Sequence, residues 1–452
     1  MANSIAEVIF IPLPVIGHMK PTIELAKSLT NRDQRLSITV LIMKPPSGLQ
    51  TGSAIANYIE SLPDHKPTDR IRFTILPRDE PLPKRDPKAP MTFVNDYINS
   101  HCKHVTKAVS DIITQPGSGR ISGFVVDMLC TCMIDVANEF DVPTYVFYTS
   151  GAGYLGFQLC IQTLVDDRGQ DVVELSNSDG EIRGHPRPIT PWSRGLCSEG
   201  QGVMRDLKAI TDPIRLPCGP ILNPVTDDSD SDNDVIRWLD SQPCSSVVFL
   251  CFGSLGSFDE AQVKEIAHAL ERSGHRFLWS LRQPPSPEQT SRNSVDYEDP
   301  GVVLPEGFLE RIAGIGKVIG WAPQMAVLAH TAVGGFVTHC GWNSVLESLW
   351  SGVPMASWPI YAEQQLNAFE MVVELGLGVE IKLDYKTDLF DRKSVIVTAN
   401  EIENGIKRLM DDDVIGEKMK EMRKMSRATV KEGGSSYTSV GHVVQDLIRI
   451  VS

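Results

Sequence analysis

The chain has 452 residues, too long for one core at about 150 residues per domain, so two or three domains are expected. With 42% apolar and 22% charged residues the composition is that of an ordinary globular protein, which excludes wholesale disorder. The balance of 43 basic against 57 acidic side chains gives a net charge of −14, and no long Lys/Arg run offsets it, so nucleic acid and anionic membrane surfaces are disfavoured as partners.

At the start there is no basic leader region, and the apolar stretch Val8–Val15 is broken by Pro12 and Pro14, which argues against a secretory signal. Val8–Ile11 has the character of a doubly buried parallel strand. A Pro/Gly-containing loop carrying His18 follows, and Pro21 is expected in the first turn of a helix bearing Ile23, Leu25, Ala26 and Leu29. Further strands are expected at Leu36–Met43, Ile71–Leu76, Gly123–Val126 and Thr144–Tyr148, with helices at Thr92–Ile113 and Met133–Phe140. The aspartate-rich stretch around Asp227–Asp234 cannot bury a core and reads as a solvated linker.

A second strand–helix series begins at Ser246. Strands are expected at Val247–Gly253, Arg276–Leu281, Lys317–Gly320, Gly335–Thr338 and Met355–Trp358. Helices are expected at Ala261–Ser273 and Asn343–Trp350, and an amphipathic helix at Tyr437–Val451 closes the chain. Alternation of this kind predicts parallel sheets covered on both faces, in two Rossmann-like halves, with the active site in the cleft between them beyond the carboxyl ends of the strands. No apolar run reaches the roughly 18 residues of a membrane span. Nine scattered cysteines suit a reducing compartment, so a cytoplasmic protein is expected, with a monomer as the default.

Several patterns resemble sites without completing one. Gly151-Ala-Gly-Tyr-Leu-Gly156 matches the dinucleotide fingerprint after a strand, but the polar stretch beyond offers no βαβ completion, which weakens an NAD(P)-dependent oxidoreductase reading. Cys130-x-Cys132 and the His101/His104 pair lack a second half for zinc. The cysteines are expected to pack and the histidines to face solvent.

The segment Trp321–Gln364 is different. A strand ending at Thr338 feeds the turn His339-Cys340-Gly341-Trp342 and then a helix near Asn343-Ser344. Amides at that helix start form an anion site, with His339 and Gly341 beside it. Glu347, one turn on, suits a ribose diol, Trp321 and Trp342 offer flat faces, and Glu363-Gln364 form a pair for reading sugar hydroxyls. An anion cradle, a diol acceptor, an aromatic platform and a polyol reader together describe a nucleotide-sugar site.

This 44-residue segment resembles the signature of the plant secondary-product UDP-glycosyltransferases of family 1. His18 in IPLPVIGHMKP resembles the family's catalytic histidine, and Asp127 in FVVDMLC its partner. Phe252-Gly253-Ser254 resembles its phosphate-contacting turn, and LPEGFLERI and the closing helix fit as well. The resemblance implies an α/β fold of GT-B type, with two facing Rossmann-like domains and a C-terminal helix closing the structure. The expected limits are 1–226 for an acceptor-binding domain, 227–235 for the linker, 236–436 for the UDP-sugar domain and 437–452 for the closing helix.

Carried over by position, the resemblance implies that Trp321 stacks on uracil while Ala322 and Gln324 hold its edge. Ser254, His339, Asn343 and Ser344 would bind the diphosphate and Glu347 the ribose. Trp342, Glu363 and Gln364 would read the sugar, with Thr149 touching it too. The terminal glutamine implies UDP-glucose as co-substrate, with no further cofactor and no metal. His18 would deprotonate an acceptor hydroxyl and Asp127 would hold its tautomer, giving inverting glucose transfer to a phenolic, flavonoid, terpenoid or hormone. Phe147, Tyr148, Phe157 and Met204 are candidates for the acceptor cleft or for core packing. One stretch departs from the family: Pro188–Gly219 lacks its usual Asn-Thr-Phe element. A catalytically impaired UDP-sugar-binding relative is therefore the second expectation.

Overall fold

The computed structural model describes residues 5–44, 58–60, 70–79, 90–115, 119–169, 218–222, 234–285, 295–383 and 395–451. They fall into two units. One gathers the described residues up to Thr149, residues 218–222 and the chain from Thr429 on. The other runs from Ser150 to 169 and from 234 to Ala428. The departure at Pro188–Gly219 lies almost wholly outside the described residues, as do Met204 and most of the acidic linker; Asp234 opens a short helix, Asp234–Asp240.

In the first unit, β1 (Ala6–Ile11), β2 (Leu36–Met43), β3 (Ile71–Leu76), β4 (Arg120–Asp127) and β5 (Thr144–Phe147) form a parallel sheet in the order β3-β2-β1-β4-β5. Every residue of β1 and β2 is buried, as their largely apolar runs require of strands covered on both faces, with Ser37 and Thr39 the small polar members of β2. Glu7 is the charged exception, and it is paired inside the sheet with Arg72 at 2.6 Å and Thr39 at 2.7 Å. The closing helix, Ser435–Val451, packs Val440, Val444, Leu447 and Ile448 into the cluster built by β1 and β2.

The expected helix Thr92–Ile113 is two helices, Pro90–Ser100 and Cys102–Thr114. The break is at His101, whose amide bonds the Ile98 carbonyl while its ring nitrogen Nδ1 takes the Tyr97 carbonyl at 2.9 Å. A side chain has replaced the backbone donor of a continuing helix. His101 is buried, not solvent-facing as expected, and His104 pairs with Asp79 at 2.9 Å.

In the second unit the strands are β6 (Val247–Cys251), β7 (Arg276–Ser280), the antiparallel ribbon β8 (Arg282–Gln283) with β9 (Val295–Asp296), β10 (Gly316–Ile319), β11 (Val333–Thr338), β12 (Met355–Ser357) and β13 (Gly378–Glu380). The main sheet is parallel, in the order β10-β7-β6-β11-β12-β13. Each sheet thus reverses its winding once, between β1 and β4 and between β6 and β11. Beyond the carboxyl ends of such a strand pair the flanking connections diverge and leave a crevice. Among the described residues, no helix is long and apolar enough to cross a membrane.

Candidate active site

The first reversal point holds a histidine and a carboxylate. The loop after β1 is only Pro12–Val15, and the helix begins at Ile16, five residues before Pro21. His18 therefore lies in the first helical turn instead of on a loop. Pro21 lies inside the helix, where it cannot donate a hydrogen bond to the Gly17 carbonyl at position i−4. Asp127 is the last residue of β4, and the register Ile11↔Val126 brings the two strand ends level. His18 Nδ1 lies 2.8 Å from Asp127 Oδ2, and Asp127 Oδ1 accepts the Leu129 amide at 3.0 Å.

The carboxylate is fully buried while the imidazole is 24% exposed. An ionised Asp127 can only accept, so the proton sits on Nδ1 and Nε2 is the basic nitrogen. Thr149 Oγ1, expected at the sugar, lies 2.9 Å from the same Nδ1.

The second reversal point holds two turns around a second histidine. After β6 the chain passes through Phe252-Gly253-Ser254, and after β11 through His339-Cys340-Gly341 into the helix Trp342–Ser351. Gly253 has φ +75°, and a Cβ there or on Gly341 would come within 2.6 Å of His339 Nε2. Both turns need glycine because the imidazole is wedged between them. Burial pushes the His339 ring down to about 4, so it is neutral at physiological pH. Its Nδ1 is buried and has no hydrogen-bond partner among the described residues. Cys340 adopts φ +60°, held there by Asn367 Nδ2 on its carbonyl at 3.0 Å and by its own amide on Thr338 Oγ1 at 3.2 Å. Gly341 caps the helix with no side chain, so the first-turn amides receive no side-chain acceptor from it.

Around this turn the second unit assembles most of the other expected side chains. Gln324 Nε2 donates to Ser344 Oγ at 2.8 Å and to Glu347 Oε2 at 2.7 Å, tying three of them into one group. Trp321 is 53% exposed, an unusual state for a large apolar ring, and the guanidinium of Arg282 lies 5.1 Å from its centroid. Ala322 beside it is buried. Sequence reasoning missed Arg282, since nothing in a lone arginine after a strand announces a tryptophan partner.

Glu363 caps the helix Gln364–Phe369 and accepts from Ser150 Oγ at 3.2 Å. Gln364 is buried, with Oε1 accepting from the Ile360 and Tyr361 amides at 2.9 and 3.0 Å. Its amide group is thereby fixed in orientation, with Nε2 as its donor half. Trp342 and Asn343 open the signature helix, half-buried, and Ser254 follows Gly253 with the same intermediate exposure.

Two of the three glycines of the Gly151–Gly156 motif have packing reasons, while a Cβ on Gly156 would meet nothing within 4 Å. A helix does follow, Ala152–Arg168, which the sequence reading did not anticipate. A Cβ on Gly151 would lie 3.0 Å from the Trp342 ring, and one on Gly153 would lie 3.1 Å from Glu370. The motif accommodates an indole and a carboxylate of its own unit. Phe147 and Phe157 are buried.

Comparison with known proteins agrees with this arrangement. Residues 226–428 match the family described as UDP-glucoronosyl and UDP-glucosyl transferase. UDP-glycosyltransferase 71E1 of Stevia rebaudiana is 46% identical over 99% of this chain and 99% of its own. UDP-glucose flavonoid 3-O-glucosyltransferase 6 of Fragaria ananassa is 46% identical over 98% of both. Among solved structures, a Siraitia grosvenorii transferase in complex with UDP is 41% identical with a TM-score of 0.83, covering 98% of this chain and 100% of that one. Medicago truncatula UGT71G1, complexed with UDP-glucose, is 37% identical with a TM-score of 0.77 over 99% of each.

Two parallel α/β units, each with expected site residues at its winding reversal, define a glycosyltransferase of GT-B type. Within that class, the chain belongs to the plant UDP-glycosyltransferases of family 1.

Proposed function

We propose that the protein transfers glucose from UDP-glucose to a hydroxyl of a small lipophilic plant metabolite, with inversion at the anomeric carbon. The observation that carries this reading is the 2.8 Å contact between His18 and the buried Asp127. A partly exposed imidazole backed by a buried carboxylate is the arrangement of a general base, and a purely structural histidine has no need of it. The Fragaria relative is named for UDP-glucose and a flavonoid 3-hydroxyl, which supports an acceptor of that class.

In the proposed reaction Nε2 of His18 takes the acceptor's hydroxyl proton as the oxygen attacks the anomeric carbon. The bond from that carbon to the β-phosphate oxygen breaks, and UDP leaves with the electron pair. Asp127 stabilises the imidazolium until it releases its proton. Trp321 would stack on uracil with Ala322 and Gln324 at its edge, and Glu347 would take the ribose hydroxyls. The diphosphate would meet Ser254, Asn343, Ser344, the first-turn amides and His339. Because that ring is neutral, His339 would act as a hydrogen-bond donor and not as a cation. Trp342, Glu363, Gln364 and Thr149 would face the sugar, with the protein acting as a cytoplasmic monomer.

The test is incubation with UDP-glucose and a panel of phenolic acceptors, measuring glucoside and released UDP by mass spectrometry. Equimolar products are expected, and His18→Ala should lower turnover about 10²- to 10⁴-fold while UDP binding persists. UDP-sugar binding without release across the panel would favour an inactive relative. Unchanged turnover in the variant would remove the histidine from the chemistry.

A further inference from the structure

The first unit holds a pair of thiols that the proposed reaction does not use. Cys102 is the first residue of the helix Cys102–Thr114, and Cys132 precedes the helix Met133–Glu139. Their sulfur atoms are 3.8 Å apart, and the Met133 sulfur is 3.9 Å from that of Cys102. A disulfide needs about 2.05 Å, so closure asks for a movement of roughly 1.8 Å between two elements already in contact. Both residues are partly exposed. Cys132 also lines a cavity of about 250 Å³ with Thr92, Asn95, Asp96, Asn99 and Leu129, an entry for a small reagent.

The remaining thiols differ in environment. Burial pushes Cys251 up to about 11 and Cys340 up to about 12, and it raises Cys218 as well. These are protonated and inert at neutral pH. Cys102 moves the other way: its hydrogen bond with Cys132 outweighs burial and the Asp135 and Glu139 carboxylates, which oppose the thiolate, and its place at the start of a 13-residue helix acts in the same favourable sense.

We propose that Cys102 and Cys132 form a dithiol modification site, closed to an intramolecular disulfide by exchange with a low-molecular-weight disulfide. Cys102 thiolate attacks one sulfur of the reagent RS–SR, forming a mixed disulfide and expelling RS⁻. Cys132 gives its proton to that thiolate and attacks the Cys102 sulfur. The Cys102–Cys132 bond forms and the second RS⁻ leaves, taking a proton from solvent. Two electrons pass from the protein pair to the reagent, which leaves as two thiols. The new bond tethers the Cys102 helix to the turn that begins at Asp127.

The experiment uses the full chain, reduced, desalted and equilibrated with oxidised and reduced glutathione at set ratios. Free thiols are trapped by alkylation, and non-reducing digests are read by mass spectrometry. A peptide pair joined through Cys102 and Cys132, two hydrogens lighter than its parts, should accumulate with the oxidised fraction and vanish with dithiothreitol. Cys132→Ser should stop at a glutathione adduct on Cys102, as exposed Cys244 should in the unmodified chain. Absence of the Cys102–Cys132 link at every ratio would overturn the proposal, and this measurement on the unmodified chain needs no variant to fold. So would a Cys132→Ser protein in which Cys102 is still cross-linked at the original yield.

Discussion

The neutrality of His339 has a measurable consequence for stability. In the unfolded chain its imidazole takes up a proton as pH falls through 6.5, whereas in the folded state desolvation holds that step down to about 4. Between these values the unfolded state binds more protons, so stability is lost as pH drops through that window. The linkage term is small at pH 7 and about 2 kcal/mol at pH 5, so this one ring removes on the order of 2 kcal/mol on acidification. His339→Gln keeps a polar donor on the turn but has nothing to titrate. Urea unfolding of both proteins at pH 7 and pH 5 isolates the term, because carboxylate contributions cancel in the difference. Tryptophan fluorescence reports the relevant unit: Trp238, Trp279, Trp321, Trp342, Trp350 and Trp358 belong to the second unit, and no tryptophan lies among the described residues of the first. The variant's loss between the two pH values should be smaller by about 2 kcal/mol. Equal losses would mean that the imidazole charges in place, and the neutral-donor role would fall.

Three further outcomes follow from the contacts. Asp127→Asn keeps the shape but removes the charge and permits the wrong His18 tautomer, so kcat should fall about 10³- to 10⁴-fold with UDP affinity retained in a calorimetric titration. Gly253→Ala puts a Cβ within 2.6 Å of His339 Nε2 at φ +75°, and should cost about 1 to 3 kcal/mol of stability while raising the KM for UDP-glucose in steady-state assays. Gln364→His cannot accept both the Ile360 and Tyr361 amides and loses the fixed Nε2 donor. Competition assays should then find UDP-glucose use weakened relative to UDP-galactose, and an unchanged donor ratio would refute the reader role.

The parallel strands were the most legible part of the molecule, because a strand buried on both faces must be written as a nearly continuous apolar run, complete in Val247–Cys251 and interrupted only by Ser37 and Thr39 in Leu36–Met43. Helix starts were less so. The preference of proline for a first turn moved the opening helix five residues late and left His18 on a loop, whereas the helix begins at Ile16 and holds Pro21 inside it. The helix Ala152–Arg168 is obscured in the sequence by the polar, turn-rich residues that follow it. Its buried stripe of Tyr154, Phe157, Ile161 and Leu164 has helical spacing and could have been found. The proposed donor-side residues can be named from local pattern, yet their couplings cannot. Gln324 meets Ser344 and Glu347 only after the chain has folded back over about 20 residues, and no spacing rule reports the half-titration point of a buried ring.

The two histidines make the deeper point about how one topology supports two kinds of chemistry. Each stands beyond the carboxyl ends of the strand pair at which its sheet reverses, β1/β4 for His18 and β6/β11 for His339. What differs is the neighbour. At the first reversal β4 ends in a carboxylate 2.8 Å from the ring, which favours an imidazolium and suits a group that must accept a proton. At the second, β11 ends in Thr338, the ring is wedged between two glycine turns, and burial without a counter-charge forbids protonation at neutral pH. A carboxylate at the end of β11 would repel a diphosphate, and a ring as dry as His339 at the end of β1 would be too weak a base to deprotonate a hydroxyl. Exchange of environments, more than of residue types, would therefore abolish both proposed roles at once.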